Sequence, residues 1–151
     1  MAQRDAEAVA GWHYPEPYSF YDWTAFEEDL AELLTPSLRG EAYFAVDDVA
    51  GDLVGYFSFK QAEPGTLVIG LGLRPDLTGK GLGASFLAAG LDYGLGSFRA
   101  NEFSLAVATF NARAITVYER AGFTRVRTHM HATSRGDWEF LEMRRPAEPP
   151  P

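Results

Sequence analysis

Leu71-Gly72-Leu73-Arg74-Pro75-Asp76-Leu77-Thr78-Gly79-Lys80-Gly81-Leu82-Gly83-Ala84 is the stretch on which the fold is decided. Before it, Leu67–Leu73 is apolar along most of its length, as a central strand is. After it, Leu87, Leu91, Leu95 and Phe98 recur at helical spacing, which predicts a helix from Gly81 to about Phe98, although Gly90, Gly94 and Gly96 weaken it. Pro75 and Gly79 mark the turn between them. A helix N-terminus leaves backbone N–H groups unpaired at the positive end of the helix dipole. Glycines let such a backbone approach a ligand and adopt positive φ. Strand, glycine turn and helix together predict a site for a phosphate or pyrophosphate.

The remaining elements are placed from this centre. Tyr43–Val46 and Leu53–Phe59 predict two strands joined through Asp47–Asp52, and Gln61–Gly65 reads as a break. Upstream, Asp5 is a candidate cap for a short helix over Ala6–Trp12. An aromatic loop follows, and Asp22 or Thr24 opens a second helix carrying Trp23, Phe26, Leu30, Leu33 and Leu34 until Pro36 stops it. Downstream, Phe103–Thr109 predicts a strand, Asn111 a cap for a helix to Ala121, and Gly122 its C′ residue. Thr124–Thr133 and Trp138–Met143 predict a closing hairpin around Ser134–Asp137. This order, α, α, β, β, β, α, β, α, β, β, implies an α+β fold: a mixed, mostly antiparallel sheet with helices on both faces. One domain over 1–145 is expected, with 146–151 a flexible Pro-rich tail.

Composition narrows the function. Lys plus Arg number 13 and Asp plus Glu 21, a formal charge of 13 − 21 = −8, which disfavours nucleic acid and suits a cationic substrate. With no Cys, disulfides, a thiol nucleophile and thiolate metal sites are excluded. No apolar run reaches the length of a membrane span, and the acid-containing N-terminus is not a signal peptide, so a cytoplasmic protein without membrane or metal partners is the expectation.

Three phosphate-binding patterns compete for the turn. A P-loop needs Gly where Arg74 stands and Ser or Thr where Gly81 stands. The dinucleotide pattern fits Gly79-Lys80-Gly81-Leu82-Gly83-Ala84, but a Rossmann domain opens with that unit, whereas here it follows two antiparallel strands. The third pattern is Q/R-x-x-G-x-G/A, matched by Thr78-Gly79-Lys80-Gly81-Leu82-Gly83 with Thr78 in place of Gln or Arg. Asn111-Ala112-Arg113-Ala114-Ile115-Thr116-Val117-Tyr118, followed by Gly122-Phe123, adds a second match. Over about Tyr43–Met143 the chain resembles the GCN5-related N-acetyltransferase (GNAT) superfamily, and the early helices match in order only.

The resemblance implies an enzyme that moves an acetyl group from acetyl-CoA to a primary amine by direct attack. It implies that Thr78, Gly79, Lys80, Gly81, Leu82, Gly83 and Ala84 bind the pyrophosphate, and that pantetheine lies along Leu71, Gly72 and Leu73. Gly70 and Gly72 equally suit a packed aromatic ring. Asn111 would bond the pantetheine amide, and Tyr118, two turns on along the same helix face, would serve the leaving thiolate as the catalytic acid. The family strand that normally precedes the first helix is short or missing. A homodimer is also implied. No carboxylate lies on Leu67–Leu73, so the general base must come from elsewhere; His13, Glu16, Glu41 and His129 are candidates. His13, Tyr14 and Glu16, within the aromatic loop, are the candidate contacts to a small-molecule or peptide amine. A CoA-binding sensor without turnover and a nucleotide-binding oxidoreductase module are the competing readings.

Overall fold

The computed structural model describes residues 1–148. Helix α1 (Gln3–Ala10) leads into 3-10 turns at Tyr18–Tyr21 and Trp23–Ala25, then α2 (Glu27–Leu34) and the single turn α3 (Pro36–Arg39). Strands β1 (Tyr43–Asp47), β2 (Leu53–Glu63) and β3 (Thr66–Leu73) follow, then α4 (Gly83–Ser97), β4 (Glu102–Ala108), α5 (Ala112–Arg120), β5 (Thr124–Thr133) and β6 (Gly136–Pro146). The six strands form one mixed sheet in the order β1-β2-β3-β4-β6-β5. β1 pairs antiparallel with β2, and β4 with β6, while β3 and β4 are parallel. The α+β class and the inner position of β3 are as expected.

The chain packs as two compact units. One comprises Met1–Ser58, Leu71–Thr78 and Ala132–Asp137; the other comprises Phe59–Gly70, Gly79–His131 and the stretch from Trp138. In the first, Ala6, Val9, Trp23, Leu33 and Tyr43 form a buried cluster. Arg39 is buried beside it, its guanidinium bonded to the Leu33 carbonyl at 2.7 Å and to Gln3 at 2.9 Å. In the second, Leu67, Leu87, Phe103 and Met143 are fully enclosed. Gly94 is one glycine of α4 that packing requires. A Cβ there would lie 3.0 Å from Phe103 and 3.1 Å from Phe59, so the glycine sets the close approach of α4 to these rings.

Several boundaries differ from the sequence reading. Asp5 is not the cap of α1; it sits at the third helical position, its carboxylate accepting from the Ala2 N–H at 3.1 Å. The second helix starts at Glu27, because the Asp22 carboxylate turns back to His13 and to the Tyr14 N–H rather than capping a helix. α2 ends at Leu34, ahead of Pro36 as expected, but Pro36 also opens the extra turn α3 from its first position, where its missing N–H costs nothing. β2 continues through Gln61 to Glu63, and the break shrinks to a turn with Gly65 at φ +84°. β6 runs to Pro146, and Ala147 is buried with its N–H on the Asn101 carbonyl at 2.8 Å, so the chain is held through residue 147. The rest of the tail expected over 146–151 includes 149–151, which lie outside the described residues. Among the described residues the first strand is Tyr43–Asp47, and no helix is long and apolar enough to cross a membrane.

Candidate functional site

The glycine turn takes the form its sequence demands. After β3 comes the 3-10 turn Pro75–Leu77, and the Thr78 hydroxyl closes it by donating to the Pro75 carbonyl at 2.7 Å. That bond occupies the one polar atom of the side chain standing in place of Gln or Arg. Gly79 and Gly81 both adopt positive φ, +72° and +77°. A Cβ at Gly81 would meet only open space, so packing does not require a glycine there. Helix α4 then begins at Gly83 with no side-chain cap, and its first helical bond runs from the Phe86 N–H to the Leu82 carbonyl. The N–H groups of the first turn, Gly83 and Ala84 among them, precede the first helical bond and have no partner within the helix. Lys80 and Leu82 are exposed on the same turn.

Arg113 lies within the second matched stretch, where its sequence alone gives it no role. Its Nη1 lies 3.2 Å from where a Cβ on Gly79 would be, which places a guanidinium of α5 beside the turn. The fit to a pyrophosphate rests on three features together: two left-handed glycines, an uncapped helix of 15 residues, and an adjacent cation.

The β3–β4 ladder contributes a second feature. Its register holds Thr66↔Glu102, Leu67↔Phe103 and Val68↔Ser104 and ends there. β3 nevertheless continues to Leu73, and β4 keeps its pairing with β6 as far as Ala108↔Phe140.

On α5, Asn111 is the cap: its Oδ1 accepts from the Ala114 N–H at 3.2 Å. Gly122, at φ +95°, follows the helix end as expected. Tyr118 is half-buried, its ring 6.1 Å edge-on from that of Phe123.

In the other unit, Gly72 makes room for an aromatic ring. A Cβ there would collide with Tyr56, lying 3.0 Å from Cζ and 3.2 Å from the hydroxyl oxygen. Of the two readings open for this glycine, Tyr56 accounts for it without a ligand. The Tyr56 ring lies 5.7 Å from Trp23 and 6.5 Å from Trp12, and Phe20 packs edge-on against Tyr21 and Phe26. Of the aromatic loop, Phe20 and Trp23 are buried and Trp12 packs against the buried cluster. Its polar members are held individually. The Tyr14 hydroxyl donates to the Leu73 carbonyl at 2.8 Å, and burial, then the nearby Asp22 carboxylate, push the phenol well above its ordinary value. Glu16 accepts from the Ser19 hydroxyl. His13 Nδ1 lies 2.9 Å from Asp22 Oδ2. Of the other two base candidates, Glu41 is exposed before β1, and His129 stacks on Phe140 at 6.0 Å on β5. No cluster of three or more His, Asp or Glu suited to a metal occurs among the described residues.

A sequence profile of the acetyltransferase (GNAT) domain matches residues 1–124. The chain belongs to the GNAT acetyltransferase family. Among curated relatives, a mycothiol acetyltransferase of Salinispora tropica is 34% identical over 114 residues, covering 72% of this chain and 37% of that protein. One from Propionibacterium freudenreichii subsp. shermanii is 39% identical over 85 residues, covering 54% and 27%. The chain thus spans about a third of the length of these relatives. Solved GNAT structures share the fold. A spermidine N-acetyltransferase of Vibrio cholerae in complex with CoA and spermine superposes with TM-score 0.74 at 18% identity, over 97% of this chain and 92% of that one. A GNAT-family acetyltransferase of Bacillus anthracis gives 0.75 at 20% identity, over 99% and 93%.

Proposed function

We propose that the protein is an acetyl-CoA-dependent N-acetyltransferase acting on a primary amine, with residues 1–145 as one catalytic domain. The observation that carries this reading is the turn at Gly79 and Gly81, both left-handed, opening into an uncapped α4. Family membership supports the pyrophosphate of CoA as the occupant of that turn. The N–H groups from Gly79 to Ala84 would bind it, with Lys80 and Arg113 supplying positive charge. Leu71 to Leu73 would carry pantetheine, and a backbone N–H near Leu71 would polarise the thioester carbonyl. CoA supplies the activated acetyl thioester. The Tyr118 phenol would pass its proton to the sulfur as the C–S bond breaks. An amine acceptor accords with the polyamine in the V. cholerae complex and with the net charge of −8. A cytoplasmic location and a homodimer complete the proposal.

The test is a thermal-shift titration with acetyl-CoA, CoA and NAD in parallel, followed by thiol-release assays with an amine panel. Ligand at 100-fold above Kd adds about 2.7 kcal/mol of stability. For a chain of this size that raises Tm by roughly 5–10 °C. Shifts with acetyl-CoA and CoA but not NAD, and thiol release dependent on an amine, are expected. CoA binding without release for any amine would favour a sensor; no shift with CoA would overturn the proposal.

A further inference from the structure

Direct attack on a thioester needs a neutral amine, and most alkyl amines are ammonium ions at pH 7. β3, Thr-Leu-Val-Ile-Gly-Leu-Gly-Leu, offers no carboxylate to take the proton. Of the four candidates from other segments, His13 differs from the rest in its partner. Its Nδ1 is 2.9 Å from Asp22 Oδ2, and the other oxygen of that carboxylate accepts from the Tyr14 N–H at 2.8 Å. The Asp22 side chain is only 7% exposed, whereas that of His13 is 69% exposed. A buried carboxylate thus grips one nitrogen of an imidazole whose other side is open.

The chemistry follows from the geometry. An ionised carboxylate can only accept, so Nδ1 carries the hydrogen and Nε2 carries the lone pair. Protonation at Nε2 creates an imidazolium whose charge falls beside Asp22, as a base poised for proton transfer requires. The loop is also anchored where the reaction is expected. Tyr14, the neighbour of His13, bonds through its hydroxyl to the carbonyl of Leu73 at the end of β3. Arg135 ties the same loop by donating to the Ser19 carbonyl at 3.1 Å.

We infer that His13 is the general base that deprotonates the acceptor ammonium, and that Asp22 is the positioning residue that fixes its tautomer. The inference rests on the N-acetyltransferase reading. Of the three ammonium protons, one passes to His13 Nε2 before attack and from there to water. The nitrogen lone pair then forms the C–N bond and the C–S bond breaks. A second proton leaves the nitrogen and offsets the one that Tyr118 gives to the thiolate. The third stays on the amide.

The test compares wild type, His13→Gln, His13→Ala and Asp22→Asn in the full chain. Each is titrated with CoA, then assayed for thiol release with spermine and with a hydrazide, an acceptor already neutral near pH 7. Asparagine keeps the oxygen for the Tyr14 N–H but offers Nδ1 a donor, which moves the imidazole hydrogen to Nε2. Loss of a general base lowers the rate by about 10²–10⁴-fold. Both variants should lose kcat with spermine on that scale, keep their affinity for CoA, and lose far less with the hydrazide; imidazole should partly rescue His13→Ala. Unchanged kcat with spermine in His13→Gln would overturn the inference alone, as would equal losses with both acceptors. If Asp22→Asn fails to fold, the His13 variants decide the matter. A wild type that binds CoA but acetylates neither probe overturns the transferase reading and this inference together.

Discussion

Gly81→Ala separates a ligand-binding turn from a structural one, and Gly51→Ala is its control. Both glycines are exposed, both have positive φ, +77° and +88°, and a Cβ on either meets nothing within 4 Å. Gly51 lies in the β1–β2 turn, where its N–H bonds the Asp48 carbonyl at 3.0 Å. A side chain in the left-handed region costs about 1–2 kcal/mol, and the lower entropy of the unfolded alanine chain offsets part of that. Each variant should therefore lose about 1 kcal/mol, which lowers Tm by roughly 2–4 °C. The two should part company in CoA binding. Turning the Gly81 peptide away from a phosphate removes a charge-assisted hydrogen bond of about 1.5–3 kcal/mol. At 1.4 kcal/mol per tenfold, Kd rises by roughly 10- to 100-fold in Gly81→Ala and does not move in Gly51→Ala. Scanning fluorimetry gives the first quantity and isothermal titration the second. Equal Tm losses with the CoA Kd of Gly81→Ala within twofold of wild type would show that the turn is architecture, and the pyrophosphate assignment would fail.

Three further outcomes are expected. Tyr118→Phe should lower kcat by about 10²–10⁴-fold with the CoA Kd unchanged, which single-turnover assays beside calorimetry will show. Gly72→Ala should cost about 1–3 kcal/mol by overpacking against Tyr56, and less in a Tyr56→Ala background, a coupling that a double-mutant cycle with denaturant unfolding measures. Burial alone would raise the Glu142 carboxyl, but hydrogen bonds from Arg144 and Arg127 outweigh it and hold it below the usual range. A depressed native pKa stabilises the fold above the unfolded value of about 4.3 and is lost as pH falls through the lower native value. Glu142→Gln should therefore flatten the fall of Tm with pH on the acid side of about pH 5.

Where the meaning of a residue is local, the sequence was enough. Gly79, Gly81 and Gly122 adopt the positive φ that their positions beside helix ends suggest, and Asn111 caps α5 through its own third neighbour. The mixed character of the sheet followed from the alternation of segments, and the succession β3, α4, β4 does give a parallel pair. Where a partner lies far along the chain, the sequence misled. Asp22 looks like a helix cap because aspartate at a helix start is ordinarily one. Here the Trp23 ring packs against Tyr56, and the Asp22 carboxylate is drawn back into the loop. Gln61–Gly65 looked like a break because it ends in Pro64-Gly65, yet the strand runs on to Glu63, which pairs with Arg144 at 3.1 Å. Arg144 also bonds Glu142 at 2.8 Å, a partnership spread over two strands that no short window of sequence displays.

The two halves of the reaction differ in legibility for the same reason. Binding a pyrophosphate uses backbone N–H groups, and a backbone conformation is written in the glycines that permit it. Removing a proton from an amine uses one side chain whose role depends on what holds it. His13, Glu16, Glu41 and His129 are indistinguishable as letters. They separate only when their partners are seen: a hydroxyl for Glu16, a ring face for His129, and for His13 a carboxylate nine positions away that is buried. A buried carboxylate is costly to keep ionised without donors, and Asp22 receives two, the Tyr14 N–H and His13 Nδ1. The same requirement that keeps Asp22 folded inward thus fixes the histidine tautomer, so the loop's stability and its chemistry draw on one interaction. It follows that Asp22→Asn, which retains an oxygen for Tyr14, should harm catalysis more than stability, while Asp22→Ala, which retains neither, should harm both.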